Sequence, residues 1–209
     1  SNSQIAVSAH TPFYNKKKLP SNTKKGKSFF LSGPKALHNA LFQNNTPDYS
    51  AWNKLYSADL WKDNFFAPRK FAEDLATIPD ILLNTNRIIV TTQPLYFYRK
   101  RKDSLLNTPY NKEKTELLEI AENLLEKIST KDKRLIPAAE NTLLSASFSI
   151  LWKTPDTEEF SDVKKRAYKH ILRLRFKSLF DTRTRFRNKV AVLFSLLGKH
   201  FLIFALRRF

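Results

Sequence analysis

Three short clusters hold residue types that can do chemistry. Trp52-Asn53-Lys54-Leu55-Tyr56 combines two aromatic rings, an amide and an ammonium. Glu73-Asp74 is a carboxylate pair, and Asp74 is the candidate to take a proton. Tyr98-Arg99-Lys100-Arg101, with Ser104 behind it, offers two guanidinium forks that match phosphate oxygens and keep their charge. Trp52 offers a face for stacking on a ring, Lys54 can neutralise a phosphate, and Ser104 can donate a hydrogen bond or start a turn. Each cluster also has a plainer reading. Trp52 and Tyr56 can be core aromatics. Glu73-Asp74 can simply complement a helix dipole. Arg99 and Arg101 can belong to an exposed basic turn that includes Lys100 and Lys102.

The elements that must position these clusters follow from pattern. Ile5-Ala6-Val7 is a short strand candidate. Residues 16–27, rich in Lys with Pro20 and Gly26, read as a basic loop. Ser32 or Gly33 can cap a helix whose apolar side is Ala36, Leu37, Ala40 and Leu41, with Pro34 in its first turn. Residues 44–48 end it. Residues 52–61 read as a strand or turn leading into a short helix at Ala58, and residues 65–69 as loop. A helix follows over 73–83, so Glu73-Asp74 opens it. Residues 87–91 and 95–98 are β-rich runs separated by Thr92-Gln93-Pro94. Tyr98 ends an apolar strand, and residues two apart on a strand share a face. Arg99 and Arg101 are therefore expected to reach one ligand together.

Beyond Lys112 the pattern is helical only. Leu117, Ile120, Ala121, Leu124, Leu125 and Ile128 recur at helical spacing, with Glu113, Glu116, Glu119 and Glu122 opposite. Further helices are expected over 138–152, 162–177 and from 184 onward, with a linker at 155–161. The longest apolar run, 190–206, is interrupted by Gly198-Lys199-His200 and is shorter than the ~20 residues a membrane span needs.

The 209 residues fit one domain or a little more and can bury a real core. With no Cys there is no disulfide framework and no thiolate metal site. Four scattered His and three isolated Gly argue against a zinc site, a P-loop and a dinucleotide-binding turn. The net charge of +18 is unevenly placed. Residues 1–30 hold six Lys and no acid, residues 164–209 fourteen basic residues and only Asp181, and residues 31–163 are nearly neutral. Such asymmetry points to an anionic partner, the plainer reading being solubility.

The order and spacing of the three clusters resemble the C-terminal half of a bacterial family 2 (GT-A fold) glycosyltransferase over roughly residues 31–128. The fold class expected is α+β or α/β: a partial GT-A-like mixed sheet with helices over 1–110, then a mainly helical basic extension over 111–209. The resemblance implies inverting transfer of a sugar from a nucleotide-sugar donor to a cell-surface polysaccharide or lipid-linked acceptor, with Asp74, beside Glu73, as the base. Trp52, Asn53 and Lys54 would line the acceptor side. Arg99, Arg101 and Ser104 would hold the diphosphate. The family's Asp-x-Asp turn, which binds Mg2+ or Mn2+, is absent from the sequence. The full enzyme would need that metal on ligands outside these residues, and this chain by itself would be inactive. The resemblance also implies a cytoplasmic enzyme at the inner face of the cell membrane.

Residues 162–209 suit an anionic membrane surface. Phe186, Phe194, Phe201 and Phe204 can insert, with Arg183, Arg185, Arg187, Lys189, Arg207 and Arg208 near headgroups. The alternative for this stretch is a helix that caps the core. For the chain as a whole, the competing reading is a nucleic-acid-binding or membrane-tethering module without catalysis. The basic residues follow no helix-turn-helix, RRM or zinc finger pattern, which argues against nucleic acid.

Overall fold

The computed structural model describes residues 2–14, 25–43, 47–66, 68, 71–102 and 104–208. Of the loop expected over 16–27, residues 16–24 lie outside the described residues, as do residues 44–46 of the helix stop expected over 44–48. The chain packs as two units, residues 1–69 with 73–109, and residues 70–72 with 110–209. The fold is α+β, with four strands and seven α-helices among the described residues.

The first unit is a mixed sheet. Its strands are β1 (Ile5–Phe13), β2 (Ser28–Leu31), β3 (Lys54–Tyr56) and β4 (Ile88–Arg99), in the order β2-β4-β1-β3. β1 runs parallel to β4, from Ile5 opposite Ile88 to Phe13 opposite Arg99, whereas β2 and β3 are antiparallel to their neighbours. Period-two alternation turns Ile5, Val7, Ile88 and Val90 onto one buried face. α1 (Gly33–Phe42) and α2 (Glu73–Leu83) bury Leu37, Leu41, Ile78 and Leu82 in the same core.

Four expectations change. β1 continues to Phe13 rather than stopping at Val7, because β4 pairs with it through the polar stretch. The two runs at 87–91 and 95–98 are one strand. Thr92-Gln93-Pro94 is absorbed as register shifts on either side of Ala9, where Ala9 faces Pro94 and His10 faces Tyr96. β2 was not anticipated; its signal is the apolar run Phe29-Phe30-Leu31. The helix expected from residue 184 onward is two helices, α6 (Phe186–Ser195) and α7 (Lys199–Leu206), separated at Gly198 with φ 99°.

Ser32 caps α1 as its type suggests, accepting the Lys35 N–H at 3.4 Å. Gly33 has a second role. Its N–H donates to the Thr85 carbonyl at 3.0 Å. A Cβ on it would lie 1.9 Å from the Leu82 carbonyl oxygen and 2.3 Å from that of Thr85. Only glycine lets the start of α1 meet the end of α2 this closely.

In the second unit α3 (Lys112–Lys131), α4 (Ile136–Lys153) and α5 (Ser161–Phe180) pack side by side, with α6 and α7 against them. Leu118, Leu143, Leu144, Ile150, Ile171 and Leu202 form the centre. Glu122 ties α3 to α5 through Arg166 and His170, each at 2.6 Å.

Gly33→Ala is expected to destabilise the protein by about 1–3 kcal/mol, because backbone atoms must move apart. Urea unfolding checks this, and an unchanged midpoint would contradict the close approach.

Candidate functional site

The first two clusters meet through backbone and charge. Asn53 is buried; its Nδ2 donates to the Ser8 carbonyl at 3.0 Å, and Ser8 N–H donates to the Asn53 carbonyl at 3.1 Å. This exchange clamps the segment before β3 onto β1. The Lys54 side chain is fully enclosed. Its ammonium donates to Asn53 Oδ1 at 2.7 Å, to Asp48 Oδ1 at 3.2 Å and to the Ser50 carbonyl. Asn53 and Lys54 thus bind protein groups rather than facing solvent, and Lys54 is not open to a phosphate. Their role in this geometry is to hold the turn that presents Ala51 and Trp52.

Asp74 stands half-buried in the first turn of α2, where free N–H groups and the dipole favour a carboxylate. Burial pushes its pKa up, against the backbone hydrogen bond from Ala51 and the nearby Lys54 charge. Glu73 and Asp48 add to the rise. Burial also lowers the Lys54 pKa, with Asp48 and Asp74 opposing. The Tyr56 hydroxyl is held well above its ordinary value by burial and by the Asp74 and Asp48 charges. A carboxylate whose pKa is raised is a better base than an exposed one. The residue before α2 is also unusual. Ala72 has φ 58°, a conformation that costs a non-glycine residue of order 1 kcal/mol and is tolerated where the surroundings impose it.

The third cluster joins through Trp52. The indole stacks on Tyr98, centroids 4.7 Å apart and planes 20° from parallel. Tyr96 packs against it at 4.7 Å, and His10 meets it edge-on at 4.8 Å. Trp52 is partly exposed, so the group forms a half-open aromatic wall rather than a closed core. Next to Tyr98 an open cleft of about 810 Å3 is lined by Tyr14, Arg99, Arg101, Ser104 and Asn107 among others. Both arginines reach it, but not by strand alternation. β4 ends at Arg99, and Arg101 lies in the following turn, where Asn107 Nδ2 donates to its carbonyl at 2.8 Å. Ser104 precedes a short 3-10 turn and makes no side-chain cap there. Glu73 is exposed beside Asp74.

The arrangement therefore links a partly desolvated carboxylate to an aromatic wall through Ala51 and Trp52, and that wall to a basic cleft through Tyr98. The wall and the cleft lie at the C-termini of the parallel strands β1 and β4, where α/β sheets bind ligands. Among the described residues no three His, Asp or Glu side chains come together in a way that could hold a metal ion. Sequence reasoning missed His10, Tyr14, Asp48 and Tyr96. The alternation of Tyr96 with Tyr98 on β4 was a legible signal; the others are brought in by β1 and the 48–54 turn.

Two outcomes follow. Lys54→Met removes the ammonium that Asn53 Oδ1 and the Ser50 carbonyl accept from and leaves Asp48 with the Ser50 N–H but no cation; a loss of about 3 kcal/mol is expected in denaturant unfolding. A loss under half that would show the ammonium to be replaceable. For Asp74 the folded pKa lies above the ordinary 3.8. The group therefore contributes stability that is present below pH 3.8 and lost as pH rises through the folded value. Asp74→Asn should remove that decline and be the more stable protein at neutral pH. A variant that follows the wild-type pH curve would refute the burial effect.

No protein-family model and no curated protein matches this chain.

Proposed function

We propose that the first unit is the acceptor-side part of an inverting glycosyltransferase with a GT-A-like sheet. The observation that supports it best is the linkage of Asp74 through Ala51 to Trp52, and of Trp52 through Tyr98 to the Arg99/Arg101 cleft. In this reading Asp74 takes the proton of the acceptor hydroxyl as its oxygen attacks the anomeric carbon. The bond from that carbon to the diphosphate oxygen breaks, and the electron pair leaves with the diphosphate. Arg99 and Arg101 stabilise the departing charge. Trp52, with Tyr98 behind it, gives a sugar ring a flat apolar face. Desolvation of Asp74 keeps its basicity, and the Ala51 N–H and Lys54 keep it oriented.

The reading requires a nucleotide- and metal-binding half beyond these residues. One further feature fits that requirement. The sheet face opposite the core carries Leu55 and Phe30, 77% and 48% exposed, an apolar surface that a second layer of such a fold would cover.

In the full-length protein, Asp74→Asn is expected to lower sugar transfer by about 10²–10⁴-fold, the usual contribution of a general base, while nucleotide-sugar affinity stays unchanged. Radiolabel transfer and calorimetry read the two quantities separately. Turnover within a few-fold of wild type would place the base elsewhere. Tight, metal-dependent nucleotide-sugar binding by residues 1–209 alone would overturn the division of labour.

A further inference from the structure

The hairpin of α6 and α7 has two unlike edges. Ala191, Val192 and Leu202 point into the helical core, and Ser195 and Ala205 are buried beside them. The other edge is apolar yet exposed: Leu193 at 48%, Leu196 at 46%, Leu197 at 66%, Phe201 at 42% and Phe204 at 52%. Five large side chains within twelve residues are left in water at one turn of the chain. The rings are already ordered against each other, Phe194 with Phe201 at 5.7 Å and Phe201 with Phe204 at 6.4 Å.

A cationic cleft of about 580 Å3 adjoins this edge, lined by Lys199, His200, Arg207 and Arg208 with Ile203 and Phe204. The carboxylate in it, Asp156, is engaged by Lys164 and by Arg207 at 2.9 Å. These contacts hold its pKa below the ordinary carboxylate value, so it stays ionised and ion-paired. The Arg208 guanidinium sits 4.4 Å over the Phe204 ring, placing charge on the apolar rim. Exposed aromatics beside a basic cleft match the two layers of a bilayer interface, acyl chains below and phosphates above. No helix among the described residues is long and apolar enough to cross a membrane, so the hairpin would lie within the interface.

We propose that the α6–α7 hairpin docks on an anionic phospholipid surface, with Leu196, Leu197, Phe201 and Phe204 inserted and the Lys199/His200/Arg208 cleft taking a lipid phosphate. The inference is independent of the sugar-transfer reading, since it concerns other residues and its assay does not measure transfer. It selects among the basic residues of 162–209. Those around α7 meet the membrane, whereas Arg166 is committed to Glu122 and Lys177 to Glu140.

The test is co-sedimentation of the chain with vesicles of phosphatidylcholine, with and without phosphatidylglycerol, at two salt concentrations. Binding is expected only with the anionic lipid. Lys199→Gln with Arg208→Gln should weaken it about tenfold or more, at ~1 kcal/mol for each surface charge. Phe201→Ser with Phe204→Ser should weaken it comparably, and Leu55→Ser, an exposed change in the other unit, should not. Circular dichroism reports whether each variant keeps its helices. Leu197→Trp supplies a second readout at an exposed position, its emission shifting to the blue on addition of anionic vesicles. Equal binding to neutral vesicles, wild-type binding by both double variants, or no spectral shift would overturn the proposal. Capture by single-stranded RNA with no vesicle binding at the same salt would overturn it as well, in favour of a polyanion site.

Discussion

The parallel ladder between β1 and β4 is the constraint on which the first unit depends. It joins residues 5–13 to residues 88–99, segments some eighty positions apart, and both strands end at the same edge of the sheet. The clusters with chemical potential are then joined along these strands. β3 pairs with β1 and brings the Trp52 turn; β4 ends in Tyr98 and Arg99; α2 begins beside Ala51. The register shifts around Ala9 matter as much as the pairing. They set Tyr96 opposite His10 and Tyr98 opposite Pro12, which is how three rings from two strands come to surround one indole.

Lys54 shows how fold and chemistry are coupled at this edge. Burying an ammonium is costly, and here it is tolerated because three acceptors from Asp48, Ser50 and Asn53 surround it. The same charge acts on Asp74, partly offsetting a burial that would otherwise disfavour its ionised form still more. Structural support and tuning of the Asp74 carboxyl are thus one interaction. The raised carboxyl of Asp74 and the positive φ of Ala72 are features that stability alone would not select.

The second unit solves a different problem. Its helices carry much of the excess positive charge, and their inward faces form an ordinary aliphatic core. Glu122 and Glu140 neutralise part of the basic face of α5. In the cleft beside α7 the carboxylate of Asp156 is already ion-paired, and Lys199 and Arg208 stand beside exposed rings.

Helix periodicity, the Ser32 cap, the start of α2 at Glu73 and the change of character at Lys112 were legible in the sequence, because each rests on contacts between near neighbours along the chain. So were the three clusters themselves. The strand lengths were not, since a strand's extent depends on a partner far away in sequence, and polar residues 8–11 become strand only beside β4. The enclosure of Asn53 and Lys54 was not legible for a related reason. Residue type shows that a group can bind an anion, but only tertiary packing decides whether it faces solvent or an enclosed set of carbonyls. The sequence by itself determined which chemical groups are present and on which elements. The long-range pairing of β1, β3 and β4 decided that the turn bearing Trp52, which meets Asp74 through Ala51, stacks on an aromatic wall beside a basic cleft.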